Sequence, residues 1–329
     1  MRKSLSSLML VAIALCVAVL PETTAAGAGA VEQTYEVYIG GFPVGIDLYS
    51  EGPIVSEVTD DLSPDGEVMV GDVIKSINGV AVHSRTDINS ALIGMPEASV
   101  RISLVRNNER LDLTIQPQTD AYTSRLKLGF HTKDGVSGLG TLTCVTDEGK
   151  FYSLGHPISD TDCTSRFECR DGYIYECGIT GIKRPSGGKP GRLVGRYSGK
   201  RTAIGRVARN SDFGLIGEYL GDMPKTKVQV MPRGEVYPGK AQIVTTIGSS
   251  AQIYDIEIVK ASRQNRPQEK GLVIKLTDEE LLSKTSGILQ GMSGSPILQN
   301  GKMVGAVTHV FTNDARRGYG AYMDWILSA

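Results

Sequence analysis

The hexapeptide Gly291-Met292-Ser293-Gly294-Ser295-Pro296 holds Ser293 in a glycine-bounded turn, just ahead of an Ile/Leu strand and an Asn300-Gly301 turn. Glycine adopts the backbone angles of a tight turn without steric cost, so such a segment can present a hydroxyl and gather neighbouring amides at one point. Two convergent amides are what a developing oxyanion requires. Ser293 is therefore the first candidate nucleophile, and the Gly291 and Ser293 amides are the candidate oxyanion hole. A serine hydroxyl is inert at neutral pH until an adjacent base takes its proton.

Four histidines could supply that base: His83, His131, His156 and His309. A base must reach the nucleophile, which favours a turn at a strand end over a strand interior. His156 fits best, in Tyr152-Ser153-Leu154-Gly155-His156-Pro157, where Pro157 also biases its backbone toward extended geometry. His309 follows the strand Met303–Val307, sixteen positions after Ser293, and reads as a pocket-lining or structural residue. His131 is a weaker candidate, and His83 belongs to another domain. A third group must orient the imidazole and stabilise its cation. Asp160, Asp162, Asp212 and Asp278 are the plausible acids, and the residues alone leave them nearly tied. Asp278 also suits a helix start, where a carboxylate accepts free backbone N–H groups.

Two regions must position these groups. From Tyr35 to Gln118 the chain reads as strands Tyr35–Ile39, Ile46–Leu48, Ile54–Val58, Val100–Arg106 and Arg110–Gln116, the alternation in Val100–Leu104 marking a half-buried strand. A helix is predicted over Thr86 to Gly94, capped by Thr86 or Asp87, with Ile88, Ala91 and Leu92 as its apolar stripe. The run Gly71-Asp72-Val73-Ile74…Ile77-Asn78-Gly79 resembles a PDZ domain, and residues 34–118 are assigned to it. The resemblance implies a peptide groove beside Gly40, Gly41, Phe42, Val44, Gly45 and Ile46, whose amides would capture a terminal carboxylate as a peptide adds to the sheet edge. Residues 119–125 are a polar linker. From Leu126 to Ala329 many short strands are separated by Gly, Asn and Asp, with one convincing helix at Glu279 to Lys284, the pattern of a sandwich or barrel pair.

The whole chain has 329 residues, a formal net charge of −1 and 39 glycines, enough for two domains of turn-rich, mainly β structure. The charge balance gives no electrostatic footprint for nucleic acid. Arg2-Lys3 precede an apolar run from Leu8 to Leu20, so residues 1–30 read as a signal peptide or signal anchor and the protein as exported. Cys144, Cys163, Cys169 and Cys177 suit one or two disulfides in an oxidising compartment, and their spacing lacks the paired CxxC of zinc sites. Gly187-Gly188-Lys189-Pro190-Gly191 lacks the Gly-Lys-Ser/Thr ending of a phosphate loop. No metal or cofactor is expected.

Four motifs in order, Leu154-Gly155-His156-x-Ile158-Ser159-Asp160, Lys275-x-Thr277-Asp278-x-x-Leu281-Leu282, Gly291–Ile297 and Gly305–Asn313-Asp314, closely resemble the sporulation SpoIVB serine peptidases. The resemblance implies a PDZ domain followed by a chymotrypsin-like double β-barrel peptidase domain over residues 126–329. It implies His156 as base, Asp278 as orienting acid and Ser293 as nucleophile. It further implies an exported endopeptidase that cuts itself and a membrane-protein regulator, releasing an intramembrane protease that activates a late sigma factor during sporulation, in the space between forespore and mother cell. Met292 stands where chymotrypsin-like enzymes carry the aspartate that pairs with a new N-terminus, so that route of activation is absent. The competing expectation is a non-catalytic PDZ scaffold binding a membrane partner.

Overall fold

In a computed structural model of the chain, the structure describes residues 35–59, 68–96, 99–159, 166–186, 189–199 and 201–329. The predicted signal segment, Asp160, Asp162 and Cys163 lie outside them. Among the described residues no helix is long and apolar enough to cross a membrane.

The C-terminal half closes into a barrel of antiparallel strands in the order Gly239–Thr245, Gln252–Ala261, Leu272–Leu276, Arg317–Tyr322, Lys302–Val310 and Pro296–Gln299. Period-2 alternation builds it: in Gln252–Ala261 the buried residues are Tyr254, Ile256 and Ile258, with polar neighbours facing out. Their side chains meet Ile243, Leu272, Ile274, Ile297 and Val307 in one apolar core.

A second ring is closed by the strands Pro43–Val58, Phe130–Val145, Lys150–Leu154, Gly214–Tyr219, Ala203–Ser211 and Asp171–Lys183, each antiparallel to the next and the last returning to the first. Val44, Ile46, Leu48, Leu142, Phe151, Ile174 and Leu215 fill its interior. The predicted disulfides are not formed by the described cysteines: Cys144, Cys169 and Cys177 are free thiols, Cys144 in the core beneath this ring.

The PDZ part is an insertion in this ring. Pro43–Val58 is one strand whose first half belongs to the barrel, paired with 135–141 and 171–176, and whose second half pairs with Val73 and with 130–133. Strands Val73–Ile77, Val100–Arg106 and Glu109–Ile115 continue the sheet, and the helix Arg85–Leu92 covers it through Ile88 and Leu92. The Gly-Asp of the motif is explained by Asp72: it is fully buried, accepts from the Met69 amide, and receives Arg106 through two bonds of 2.7 Å. Asn78-Gly79, both with positive φ, forms the tight hairpin turn.

Two sequence expectations are corrected, and the strand pairing crosses one assigned boundary. The assigned boundary between 34–118 and 126–329 does not follow the strand pairing, because Glu36–Ile39 and the first half of Pro43–Val58 are built into the barrel side of the sheet. The helix cap lies two residues before Thr86: Ser84 is the cap, accepting from the Asp87 amide, while Asp87 reaches back to the His83 amide. A C-terminal helix, Met323–Ser328, joins the single helix expected after Leu126, held by Met323 and Ile326 in the core.

Candidate active site

The Ser293 turn hangs between the two barrels. Gly291 and Gly294 have φ of 98° and 94°, and a Cβ on Gly294 would lie 2.3 Å from the Thr141 carbonyl oxygen, so that glycine is required for the close approach. From the C-terminal barrel, the Gly294 amide donates to Val307 and the Val307 amide to Ser295. From the N-terminal ring, the Thr141 amide donates to the Ser293 carbonyl, Thr141 Oγ1 to Gly291 O at 2.8 Å and Thr143 Oγ1 to Gly294 O at 2.9 Å. Met292 points the other way, fully buried among apolar side chains of the C-terminal barrel. The Met292, Gly294 and Ser295 amides all have carbonyl acceptors. Among the described residues the Gly291 and Ser293 amides have none, which leaves both free to face an oxyanion.

His156 follows the strand Lys150–Leu154 through Leu154 and Gly155, both with positive φ, and this reversal turns its ring into the cleft. The cleft, about 380 Å³, is lined by His156, Ser293, His309 and Thr308, by Ile288, Leu289 and Gln290 before the nucleophile, and by Ile46 and Val136–Leu139 from the ring. The His156 and His309 rings stand 4.8 Å apart at 37°. His156 Nδ1 lies 2.9 Å from Pro157 O, and Ser293 Oγ donates to Thr308 O at 2.9 Å. Burial lowers the pKa of His156, partly opposed by the Pro157 carbonyl. His309 falls to about 4, through burial first and then the neighbouring His156. Both rings are thus held toward the neutral form a general base needs.

The structure brings Ser293, His156, His309, Gly291 and Ile46 to one cleft and leaves the other candidates elsewhere. Asp278 caps the helix Glu279–Thr285: its Oδ1 accepts from Leu281 N at 2.9 Å and its Oδ2 from Asp255 N, and it does not line the cleft. The implied contact with His156 is absent because that carboxylate is committed to its own helix. Asp212 is exposed and pairs with Arg166 at 2.7 Å. His131 is exposed opposite Glu57, and His83 lies at the PDZ helix start.

The expected PDZ carboxylate loop is a further correction. Val44, Gly45 and Ile46 pair on one side with Gly140, Leu139 and Gly138 and on the other with Glu176, Tyr175 and Ile174. Gly41 N donates to Leu142 O, Phe42 O accepts from Leu142 N, and a Cβ on Gly40 would meet Leu142 O at 2.1 Å. A strand with neighbours on both edges has no amides left for a ligand, so Gly40–Ile46 forms barrel wall instead. Thr141, Thr143 and Thr308 escaped the sequence reading. Thr141 and Thr143 share one face of their strand, yet their partners lie about 150 positions away, a relation no local pattern encodes.

Paired antiparallel rings with a turn-borne serine and a histidine at their junction define a serine peptidase of double β-barrel type carrying an N-terminal PDZ domain. The chain belongs to the SpoIVB peptidase S55 family, which it matches over residues 124–327, and residues 29–116 match the PDZ domain family. No curated protein matches at a significant level. Among solved structures it is similar to the Rv3671c protease from M. tuberculosis in its active form, at 14% identity over 59% of this chain and 72% of that one, TM-score 0.36. It is also similar to the HtrA-type protease AlgW with a decapeptide, at 11% identity over 63% and 56% of the two chains, TM-score 0.35. The PDZ domain of the SdrC-like protein from Listeria monocytogenes is 20% identical over 26% of this chain and 90% of that one, TM-score 0.24.

Proposed function

We propose that this serine peptidase is an exported endopeptidase of sporulation, with Ser293 as nucleophile and His156 as base, that cuts itself and a membrane-bound protein regulator of an intramembrane protease. The observation that carries the catalytic part is the shared cleft, lined by both Ser293 and His156, with the acceptor-free Gly291 and Ser293 amides at the nucleophile. His156 takes the Ser293 proton as Oγ attacks the scissile carbonyl, and the two amides receive the oxyanion. The protonated imidazole then gives its proton to the leaving amine, and water releases the acyl-enzyme by the same route reversed. Ile288, Leu289 and Val310 give the cleft an apolar floor, which favours an apolar side chain before the cut bond. The sporulation setting, the regulator and self-cleavage rest on the resemblance of the four motifs.

The PDZ domain supplies peptide recognition in this reading. The residues first expected at its groove are in the barrel, and the helix Arg85–Leu92 instead stands beside the strand segment 130–134, where the Arg85 amide donates to Asp134 Oδ1 at 2.7 Å. The test is labelling of the full chain by a fluorophosphonate with the modified residue mapped by mass spectrometry. Modification at Ser293, lost in Ser293→Ala and in His156→Ala with the fold intact, is the expected result. Cleavage of a co-expressed membrane regulator that persists in Ser293→Ala would remove the reading.

A further inference from the structure

Among the described residues three buried side-chain polar atoms have no hydrogen-bond partner: Thr308 Oγ1, His309 Nδ1 and Arg317 Nε. All three fall on one two-stranded ladder beside the nucleophile. Ser293 Oγ donates to Thr308 O, His309 stands opposite Tyr319, and the Phe311 amide donates to Arg317 O. Buried polar groups in folded proteins are nearly always satisfied, so orphans gathered on one ladder call for a partner from outside the chain.

Alternate residues of paired strands share a face, which sets His309, Phe311, Arg317 and Tyr319 side by side. His309 lines the cleft, so this face carries on from the cleft wall. The Phe311 and Tyr319 ring centroids lie 4.6 Å apart, and each ring carries a cation: Arg317 Cζ is 5.4 Å from the Phe311 centroid and Lys270 Nζ 5.2 Å from that of Tyr319. The charge of Lys270 is felt in the cleft itself, where burial first, then His156 and then Lys270 hold His309 toward its neutral form. Among the described residues neither cation is in an ion pair. The acids nearest them in the chain do not neutralise them. Asp314 Oδ1 accepts from the Arg316 amide, and Glu269, next to Lys270, is half-buried, with burial raising its pKa against the pull of that lysine.

On its other edge the strand Lys302–Val310 is paired with Pro296–Gln299 only as far as Ala306, so among the described residues 309–311 have an edge open to an extended peptide. From Thr308, beside Ser293 Oγ, to Phe311 is a rise of about 10 Å, roughly three residues of such a peptide. We propose that Arg317 and Lys270 form a subsite for an acidic side chain of the substrate, a glutamate or aspartate about three residues from the cut bond. The carboxylate accepts Nε–H and the neighbouring Nη–H of Arg317 as a fork, which gives the buried Nε its missing partner, and Lys270 adds a point charge. The two rings brace both cations.

The subsite presupposes Ser293 and His156 as nucleophile and base, and the test keeps the two apart. The full chain is incubated with a peptide library made by proteolysis of a cell extract, and cut sites are mapped by mass spectrometry with Ser293→Ala as the blank. Glu and Asp should be enriched at a position roughly two to four residues from the cut bond. Two fluorescent peptides built on the best site, with Glu or Gln at that position, then give a ratio of kcat/KM within each variant, so that general damage cancels. The parent ratio should be about 10 or more, as for a hydrogen bond to a charged group. It should fall toward 1 in Arg317→Gln and by about threefold in Lys270→Gln. Lys270 is exposed, so its variant carries the test even where Arg317→Gln unfolds. No acidic enrichment, a parent ratio within about twofold of 1, or a ratio unchanged in either folded variant would overturn the subsite and leave the peptidase standing. A parent chain that fluorophosphonate does not modify at Ser293 and that cuts no library peptide would remove the peptidase reading, and the subsite with it.

Discussion

The Gly291 peptide is held in place by one side chain from the other barrel, Thr141 Oγ1 on Gly291 O. Thr141→Val keeps the side-chain shape and removes the donor. The Gly291 carbonyl then loses its partner in a buried position, which costs about 1–3 kcal/mol. Since Gly291 O and the Gly291 oxyanion amide flank the same Cα, freeing that carbonyl lets the amide move, and kcat should fall by about 10²-fold, toward the loss of one oxyanion donor, with KM little changed. Steady-state kinetics and thermal unfolding check both parts. His309 gives a pH prediction. Its folded pKa, about 4, lies below its ordinary value near 6.5, so between those values the unfolded chain binds more protons than the folded one. Stability is therefore fullest above about pH 6.5 and declines as pH falls toward 4. His309→Gln should flatten that decline in a plot of Tm against pH.

At the scale of elements, the helix Glu279–Thr285 shows how one residue type serves two readings. Asp278 bonds the third amide of its own helix, so Asp278→Ala should cost about 1 kcal/mol of stability. Ser293 labelling should change only a few-fold, because the carboxylate does not reach the cleft. The four-motif resemblance cannot separate a carboxylate retained for capping from one retained for catalysis. Other elements were legible. The strand Val100–Arg106 follows the alternation written in its sequence, and the turn Asn78-Gly79 follows its residue types. The cap of the helix Arg85–Leu92 was also present in the sequence, as Ser84-x-x-Asp87, and was placed at least two residues too late because Thr86 and Asp87 are themselves good caps. Pro43–Val58 was not legible as one strand. Glu51-Gly52-Pro53 reads as a break, whereas the chain passes through an irregularity between Tyr49 and Ile54 and continues beside the same neighbour.

At the scale of the molecule, that strand and Phe130–Val145 are shared by the PDZ part and the N-terminal barrel, and Thr34–Ala329 forms one unit. Tyr49 lies opposite Gly135, so the chain leaves and re-enters the barrel at adjacent points. Replacing residues 51–134 with an Asn-Gly turn should therefore leave a folded barrel pair that still modifies at Ser293. A chain begun at residue 126 lacks Val44, Ile46 and Leu48 from the barrel interior and should fail to fold. Circular dichroism with phosphonate labelling of the two variants checks this. The strand Phe130–Val145 runs from beside the PDZ helix, at Asp134, to the Thr141 clamp.

The sequence by itself determined the local chemistry: a glycine turn that exposes Ser293, a Pro-restrained turn that offers His156, and alternating strands that make barrels. These depend on backbone preferences and side-chain periodicity over a few residues. Only the tertiary structure decided that Gly40–Ile46 is barrel wall and that Thr141 clamps the nucleophile. Each of these is a register between strands distant in sequence. Register follows from packing both faces of a closed ring at once, which no short segment can specify.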